Sequence, residues 1–202
     1  MQGIASSKMK RAEKASESVL VLRVAVEEIE PEIWRTILVP DDYTLAYLHV
    51  VLQTVMDWLD YHLHEFEIDG RTYGRPDYDE DAPESLLDER TVTLKEVLTG
   101  RTKSFLYSYD FGDEWHVKLT VEDTVSREPQ EYYPHCVEGA RAAPPDDVGG
   151  VGGYEDFLEA IADPAHENHD ELLDWIGGEF DPEEFDPEYI NIELRKIFRL
   201  LD

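Results

Sequence analysis

Apolar positions along the chain change period several times, and each change marks an element. Val19–Val26 is dense in β-branched residues, and Trp34–Val39 follows after a Glu30-Pro31 turn signal. The two segments read as paired strands. Pro40-Asp41-Asp42 ends the second. Leu45, Leu48, Leu52, Val55, Met56 and Leu59 then recur at steps of three and four, which puts them on one face of a helix. Thr44 precedes them and can accept from an orphaned N–H of the first turn, so it serves as the N-cap. His64–Ile68, Asp69-Gly70 and Arg71–Tyr73 predict a hairpin, because Asp-Gly tolerates the positive φ of a two-residue turn.

Residues 74–90 are acidic, contain Pro76 and Pro83, and predict an exposed loop. Thr93-Leu94-Lys95-Glu96 has capping-box spacing and opens one or two helical turns. Ser104–Asp110 and Trp115–Val125 read as strands joined at Phe111-Gly112-Asp113-Glu114. In the second, Trp115, Val117, Leu119 and Val121 alternate with His116, Lys118, Thr120 and Glu122, the pattern of a half-buried strand with one wet face. Ser126–Gly153 shows no apolar period and is rich in Pro and Gly. It predicts a long loop without helix or strand, ordered by its aromatics and prolines. Helices are expected over Tyr154–Ile161, about Glu167–Ile176, and after Asp186-Pro187, where Asp caps and Pro takes the first helical position.

There are no internal repeats. The sum is an α+β domain over residues 18–202 behind a polar tail at 1–17. Its architecture is a mostly antiparallel, twisted, open sheet with helices on one face and a helical C-terminal segment.

Charge narrows the function classes. Asp and Glu number 47 against 18 Lys and Arg, a formal net charge of −29. Such a field repels phosphate backbones and argues against nucleic-acid binding through the acidic domain. It fits either a surface for a basic partner or a solvated surface adapted to high salt, where screening relieves the self-repulsion. Cys136 is the single cysteine, so no disulfide can form within the chain and a reducing, cytoplasmic setting is the natural reading. The apolar runs are strand-sized, and no membrane span or signal core is expected.

Several motifs taken together resemble one family. These are Trp34-Arg35, His62-Leu63-His64-x-Phe66, Tyr107-x-Tyr109-Asp110-Phe111-Gly112-Asp113-x-Trp115, Tyr133-Pro134-x-Cys136-x-x-Gly139, Pro144-Pro145-x-Asp147-x-Gly149-Gly150, Gly153-Tyr154-x-x-Phe157 and Trp175-x-Gly177 with Phe180-Asp181-Pro182. In this order, over roughly residues 19 to 195, they resemble the plasmid pRiA4b ORF-3-like proteins. The resemblance implies a small α+β fold with an open sheet and an association with plasmids or insertion elements, where some members are labelled resolvase-like passengers. It carries no activity. Members often place a His two residues after the Trp of the Asp-Phe-Gly-Asp-x-Trp motif. Here that position is Val117, and His116 falls on the opposite strand face.

Asp110-Phe111-Gly112 matches the kinase metal triplet, but no glycine-rich nucleotide loop or catalytic His-Arg-Asp accompanies it. Asp110 and Asp113 have the chemistry for acid–base or hard-metal work, against which stands a turn role for both. Among the histidines, His62 with His64 and His166 with His169 have spacings that can put two rings on one face. The thiolates of a closed zinc site are missing, so no metal and no cofactor is assigned. His135-Cys136 lacks a third orienting group for a nucleophile pair, and Cys136 reads as a structural thiol. The Gly149–Gly153 cluster lacks the Gly-Lys-Ser/Thr ending of a phosphate loop and follows Asp146-Asp147, so turns with positive φ explain it.

The resulting expectation is a non-enzymatic binding or accessory module for a protein or small-molecule partner. The alternative is a metal-dependent or hydrolase-like enzyme using Asp110, Asp113 and histidines. The candidate surface comprises Trp34, Arg35, Tyr109, Asp110, Asp113, Trp115, Tyr133 and His135, with Arg35 expected to pair with Asp110, Asp113 or a loop carboxylate.

Overall fold

The computed structural model describes residues 16–78 and 82–201. The polar tail expected over 1–17 lies outside them except for its last two residues. Those two are held: Ser16 N donates to Asp42 Oδ2 at 2.8 Å, and the Glu17 carbonyl accepts from Arg127 N at 2.7 Å.

Among the described residues eight strands form one sheet in the order β5-β4-β3-β6-β7-β1-β2-β8. They are β1 (Ser18–Val26), β2 (Trp34–Pro40), β3 (His64–Ile68), β4 (Arg71–Gly74), β5 (Leu87–Asp88), β6 (Ser104–Tyr109), β7 (Trp115–Ser126) and β8 (His135–Ala140). Every pair is antiparallel except β4 with β5. Among the described residues five α-helices accompany them: α1 (Leu45–Met56), α2 (Leu94–Val97), α3 (Gly150–Ala162), α4 (His169–Ile176) and α5 (Pro187–Leu201). The fold is α+β, with an open and mostly antiparallel sheet. Among the described residues no helix is long and apolar enough to cross a membrane.

Local rules account for most of this. Thr44 caps α1 by accepting from Tyr47 N, and Thr93 and Glu96 complete the capping box of α2. Asp69 and Gly70 both take positive φ, 49° and 73°, as the β3–β4 hairpin requires. The strand alternation also holds. Val24, Leu119 and Phe105 share a face with Arg35 through the registers of β1 with β2, β1 with β7 and β6 with β7. That face meets α1: Arg35 Nε donates to the Val55 carbonyl, and the Tyr107 hydroxyl bonds His49 and Gln53. His116 and Lys118 point away from it and are exposed.

Three expectations fail for identifiable reasons. The segment 126–153 is not strand-free: β8 pairs with β2, and its edge is held by a side chain from α5. Asn191 Oδ1 accepts from Cys136 N at 2.8 Å while Asn191 Nδ2 donates to the Cys136 carbonyl at 2.7 Å. An amide side chain thus mimics one more strand residue, a contact 55 positions away that no local pattern encodes. In 74–90, β5 pairs with β4, and Glu89 in the adjoining 3-10 turn is buried because His64 bonds it at 2.8 Å. Finally, Leu59 lies beyond α1 and is 59% exposed, because Asp57 takes a left-handed conformation and closes the helix by donating to Gln53 and Thr54.

Candidate functional site

A cavity of about 580 Å³ opens between the C-terminal end of α1, the loop 142–147 and the segment 175–190. That is an ordinary size for a small-molecule site. Among the described residues one cation lies on its wall, Arg35, which is 3% exposed. Backbone carbonyls hold it. Nε donates to Val55 O at 3.1 Å, and Nη1 donates to Trp34 O and Ala140 O at 2.8 Å each. Val55 lies in the last turn of α1, where carbonyls lack helical partners and carry the negative end of the helix dipole. The Phe185 ring covers the guanidinium at 4.8 Å. Opposite Arg35 in the register stands Gly139, where a Cβ would fall 2.8 Å from Arg35 Cδ and 2.8 Å from Phe185 Cε2. Glycine there makes room for the Arg–Phe pair.

No carboxylate lies within ion-pair distance of Arg35 among the described residues, so the expected pairing with Asp110, Asp113 or a loop acid is not formed. Arg23, Arg75, Arg90 and Arg141 each reach one. Burial lowers the Arg35 pKa to about 10, with the Cys136 thiol as the opposing influence. The Nη2 group makes no hydrogen bond to any described residue, so two charged N–H donors remain unused. Acids gather on the cavity walls instead. The Asp57 carboxyl is raised by burial and by Glu193, Asp146 and Glu184.

Beside the cavity, the turn after β6 meets the loop 144–150. Asp110 takes φ 56°, and its Oδ1 accepts from Gly112 N at 2.9 Å and Asp113 N at 3.4 Å. The turn role expected for Asp110 is therefore real. Asp113 Oδ2 reaches across to Gly149 N at 2.9 Å, ahead of α3. The approach is close: a Cβ on Gly150 would lie 2.5 Å from Asp113 O. The glycines also enter α3 itself, where Gly152 and Gly153 are helical. Tyr109 donates to Asp146 Oδ1 at 3.1 Å, and Asp146 Oδ2 accepts from Leu59 N at 2.8 Å. Burial, with Asp146 nearby, raises the Tyr109 hydroxyl pKa, so it stays a donor.

The histidines separate. His62 precedes β3 and sets its ring edge-on to Tyr109, whereas His64 stacks on His49 with centroids 3.5 Å apart and planes 6° apart. His49 lies in a closed network. Gln53 donates to the Tyr107 hydroxyl, Tyr107 bonds His49 Nδ1 at 2.8 Å, and His49 Nε2 bonds Asp60 at 2.9 Å. Two parallel rings at that spacing cannot both direct an in-plane lone pair at one ion, so His49, Asp60 and His64 are a structural cluster. His166 lies outside α4, and His169 bonds the Ala160 carbonyl, so this pair shares no helix face toward a ligand.

Of the residues expected to form one surface, Tyr109, Asp110 and Asp113 come together with the loop 144–150, while Arg35 sits in the adjoining cavity. Trp34 points to the opposite sheet face, under Arg23 at 4.1 Å. Trp115 is core, 1% exposed. Tyr133 and His135 stand at the other end of β8, where the Tyr133 carbonyl accepts from Tyr43 and burial lowers the His135 pKa. Sequence reasoning missed Gly139, Phe185, His62 and Asp147 as members of the site. Three of the four stand in the motifs quoted above, but nothing local joins them.

The sequence model described as "Plasmid pRiA4b ORF-3-like protein" matches residues 18–189. A protein of Sinorhizobium fredii (strain NBRC 101917 / NGR234), "Uncharacterized protein y4hQ", is 42% identical over 162 residues, covering 79% of this chain and 81% of its own length. The crystal structure of "Protein of Unknown Function MM3350" from Methanosarcina mazei Go1 superposes with a TM-score of 0.78 at 42% identity, covering 86% of this chain and 97% of that one.

Proposed function

The chain belongs to the plasmid pRiA4b ORF-3-like family, and we propose that it is a non-enzymatic binding module, an accessory protein of plasmids or mobile elements, whose cavity takes a small amino-carboxylate. Arg35 carries this reading. A guanidinium fixed by three carbonyls on a cavity wall, paired with no carboxylate and with Nη2 free of partners among the described residues, offers a pre-oriented charged donor to an anion. Carbonyls already occupy Nε and Nη1, so a carboxylate docks end-on at Nη2. A plain anion is repelled by a chain of net charge −29, so the ligand must carry its own positive group. Asp181 and Glu184, both exposed on the cavity rim, suit an ammonium, and Trp175, Phe180 and Phe185 suit an apolar body between the two charges.

Calorimetric titration with L-tryptophan, tryptamine and indole-3-propionate tests this. L-Tryptophan should bind more tightly than either analogue, and Arg35→Lys should weaken it at least tenfold. Equal affinity for all three, no affinity for L-tryptophan, or indifference to Arg35→Lys would refute the reading.

A further inference from the structure

A second site, beside the Arg35 cavity and sharing Asp147 with its wall, is formed by His62, Asp110 and Asp147. His62 Nε2 stands 3.2 Å from Asp147 Oδ1 and 3.5 Å from Asp110 Oδ2. Neither contact is a hydrogen bond, and the nitrogen is buried without a partner. Two carboxylates thus approach a ring nitrogen that points its proton or lone pair at neither. The three ligand atoms lie within 4.8 Å of one another. Donors about 2.1 Å from a common ion are separated by roughly 3.0–3.4 Å in octahedral or tetrahedral arrangements, so the observed spacings leave room for the ion between them.

The neighbouring contacts fix each donor. Asp110 is 6% exposed, and its Oδ1 is spent on the turn amides, which leaves Oδ2 turned toward His62. The Tyr109 ring lies against His62 at 74°. Asp147 follows Asp146, whose side chain is fixed by Leu59 N and Tyr109. Among the described residues no Lys or Arg pairs with Asp110, Asp146 or Asp147, so the groups that face these carboxylates are His62, backbone amides and the Tyr109 hydroxyl.

We propose that His62 Nε2, Asp110 Oδ2 and Asp147 Oδ1 bind a first-row divalent transition ion. One imidazole and two carboxylates suit Zn²⁺, Co²⁺ or Mn²⁺ better than the all-oxygen preference of Ca²⁺. Three protein donors leave at least one coordination position for water or a ligand.

The test is titration of chelator-treated full-length protein with Co²⁺ and Zn²⁺ alone, by calorimetry and by the cobalt d–d absorption. Asp110→Asn and Asp147→Asn are the diagnostic variants. Both positions have positive φ, 56° and 62°, which an asparagine tolerates, and the side-chain oxygen introduced by Asp110→Asn can still accept the turn amides. Asp60→Asn is the control from the stacked-histidine cluster. One ion should bind per chain, both site variants should lose at least tenfold in affinity with a changed cobalt spectrum, and Asp60→Asn should leave both unchanged. Circular dichroism and melting of each variant confirm that it is folded. Absence of saturable binding, site variants that bind as the parent does, or a loss specific to Asp60→Asn would overturn the proposal. L-Tryptophan binding is read separately on the chelated protein, so failure here and failure of the cavity reading are distinguishable.

Discussion

Replacing Gly139 with Ala probes how tightly the Arg35 wall is built. The new methyl would fall 2.6 Å from Trp34 O, 2.8 Å from Arg35 Cδ and 2.8 Å from Phe185 Cε2. Two of these atoms belong to side chains that can shift, but Trp34 O is backbone in the neighbouring strand, so β2 and β8 must separate locally. Overpacking of this kind costs about 1–3 kcal/mol. At about 2–4 °C per kcal/mol for a chain of this size, Tm should fall by roughly 2–12 °C. Urea denaturation gives the free energy directly, with an unchanged m-value showing that the loss lies in the native state. Phe185→Leu in the Gly139→Ala background removes one of the three clashes, so the double variant should be more stable than the two single losses added together. A Gly139→Ala variant within about 0.5 kcal/mol of the parent would behave like an ordinary surface change and refute the packing argument.

Asn191→Ala removes both bonds to Cys136 and strands a buried N–H and C=O of the edge strand, so unfolding free energy should drop by about 2–4 kcal/mol in urea. Burial pushes the Cys136 thiol up to about 11, so Ellman's reagent at pH 8 should react only as fast as the protein opens, and Cys136→Ser should retain ligand binding. Burial, the largest influence, holds the His49 pKa below its ordinary value despite the opposing bond to Asp60. The unfolded chain therefore binds the extra proton first, and stability present above about pH 6.5 is lost as pH falls below it; His49→Gln should flatten that slope in acid-titrated melts. With a net charge of −29, Tm should rise with added NaCl and gel shifts should show no duplex-DNA binding at moderate salt.

Strands β1–β4, β6 and β7, the start of α1, the Asp69-Gly70 hairpin and the α2 capping box were legible because each depends on residues within a few positions of one another, whereas β5 takes its strand from pairing with β4. β8 was not legible either, since its pairing requires β2 and the Asn191 amide. At the site, Asp110 and Asp113 announced themselves through their turn, but what Asp110 faces comes from His62 and Asp147, which are remote in the chain. The expectation for Arg35 was a carboxylate partner, and among the described residues none is within ion-pair distance. The end of α1 and the edges of β2 and β8 bring three carbonyls to it instead. Trp34 could have been separated from Arg35 by alternation alone, since adjacent strand residues face opposite ways.

Carboxylate binding in the cavity turns on the two unused donors of Arg35 Nη2. Nitrogen-15 NMR of arginine-labelled protein, with the Arg35 signal assigned through Arg35→Lys, observes them directly. On addition of L-tryptophan the Arg35 Nη resonance should shift and its protons should become protected from exchange, while tryptamine, which has no carboxylate, should leave both unchanged. An Arg35 signal indifferent to L-tryptophan, or responding equally to tryptamine, would contradict the assignment of this cavity as a carboxylate site.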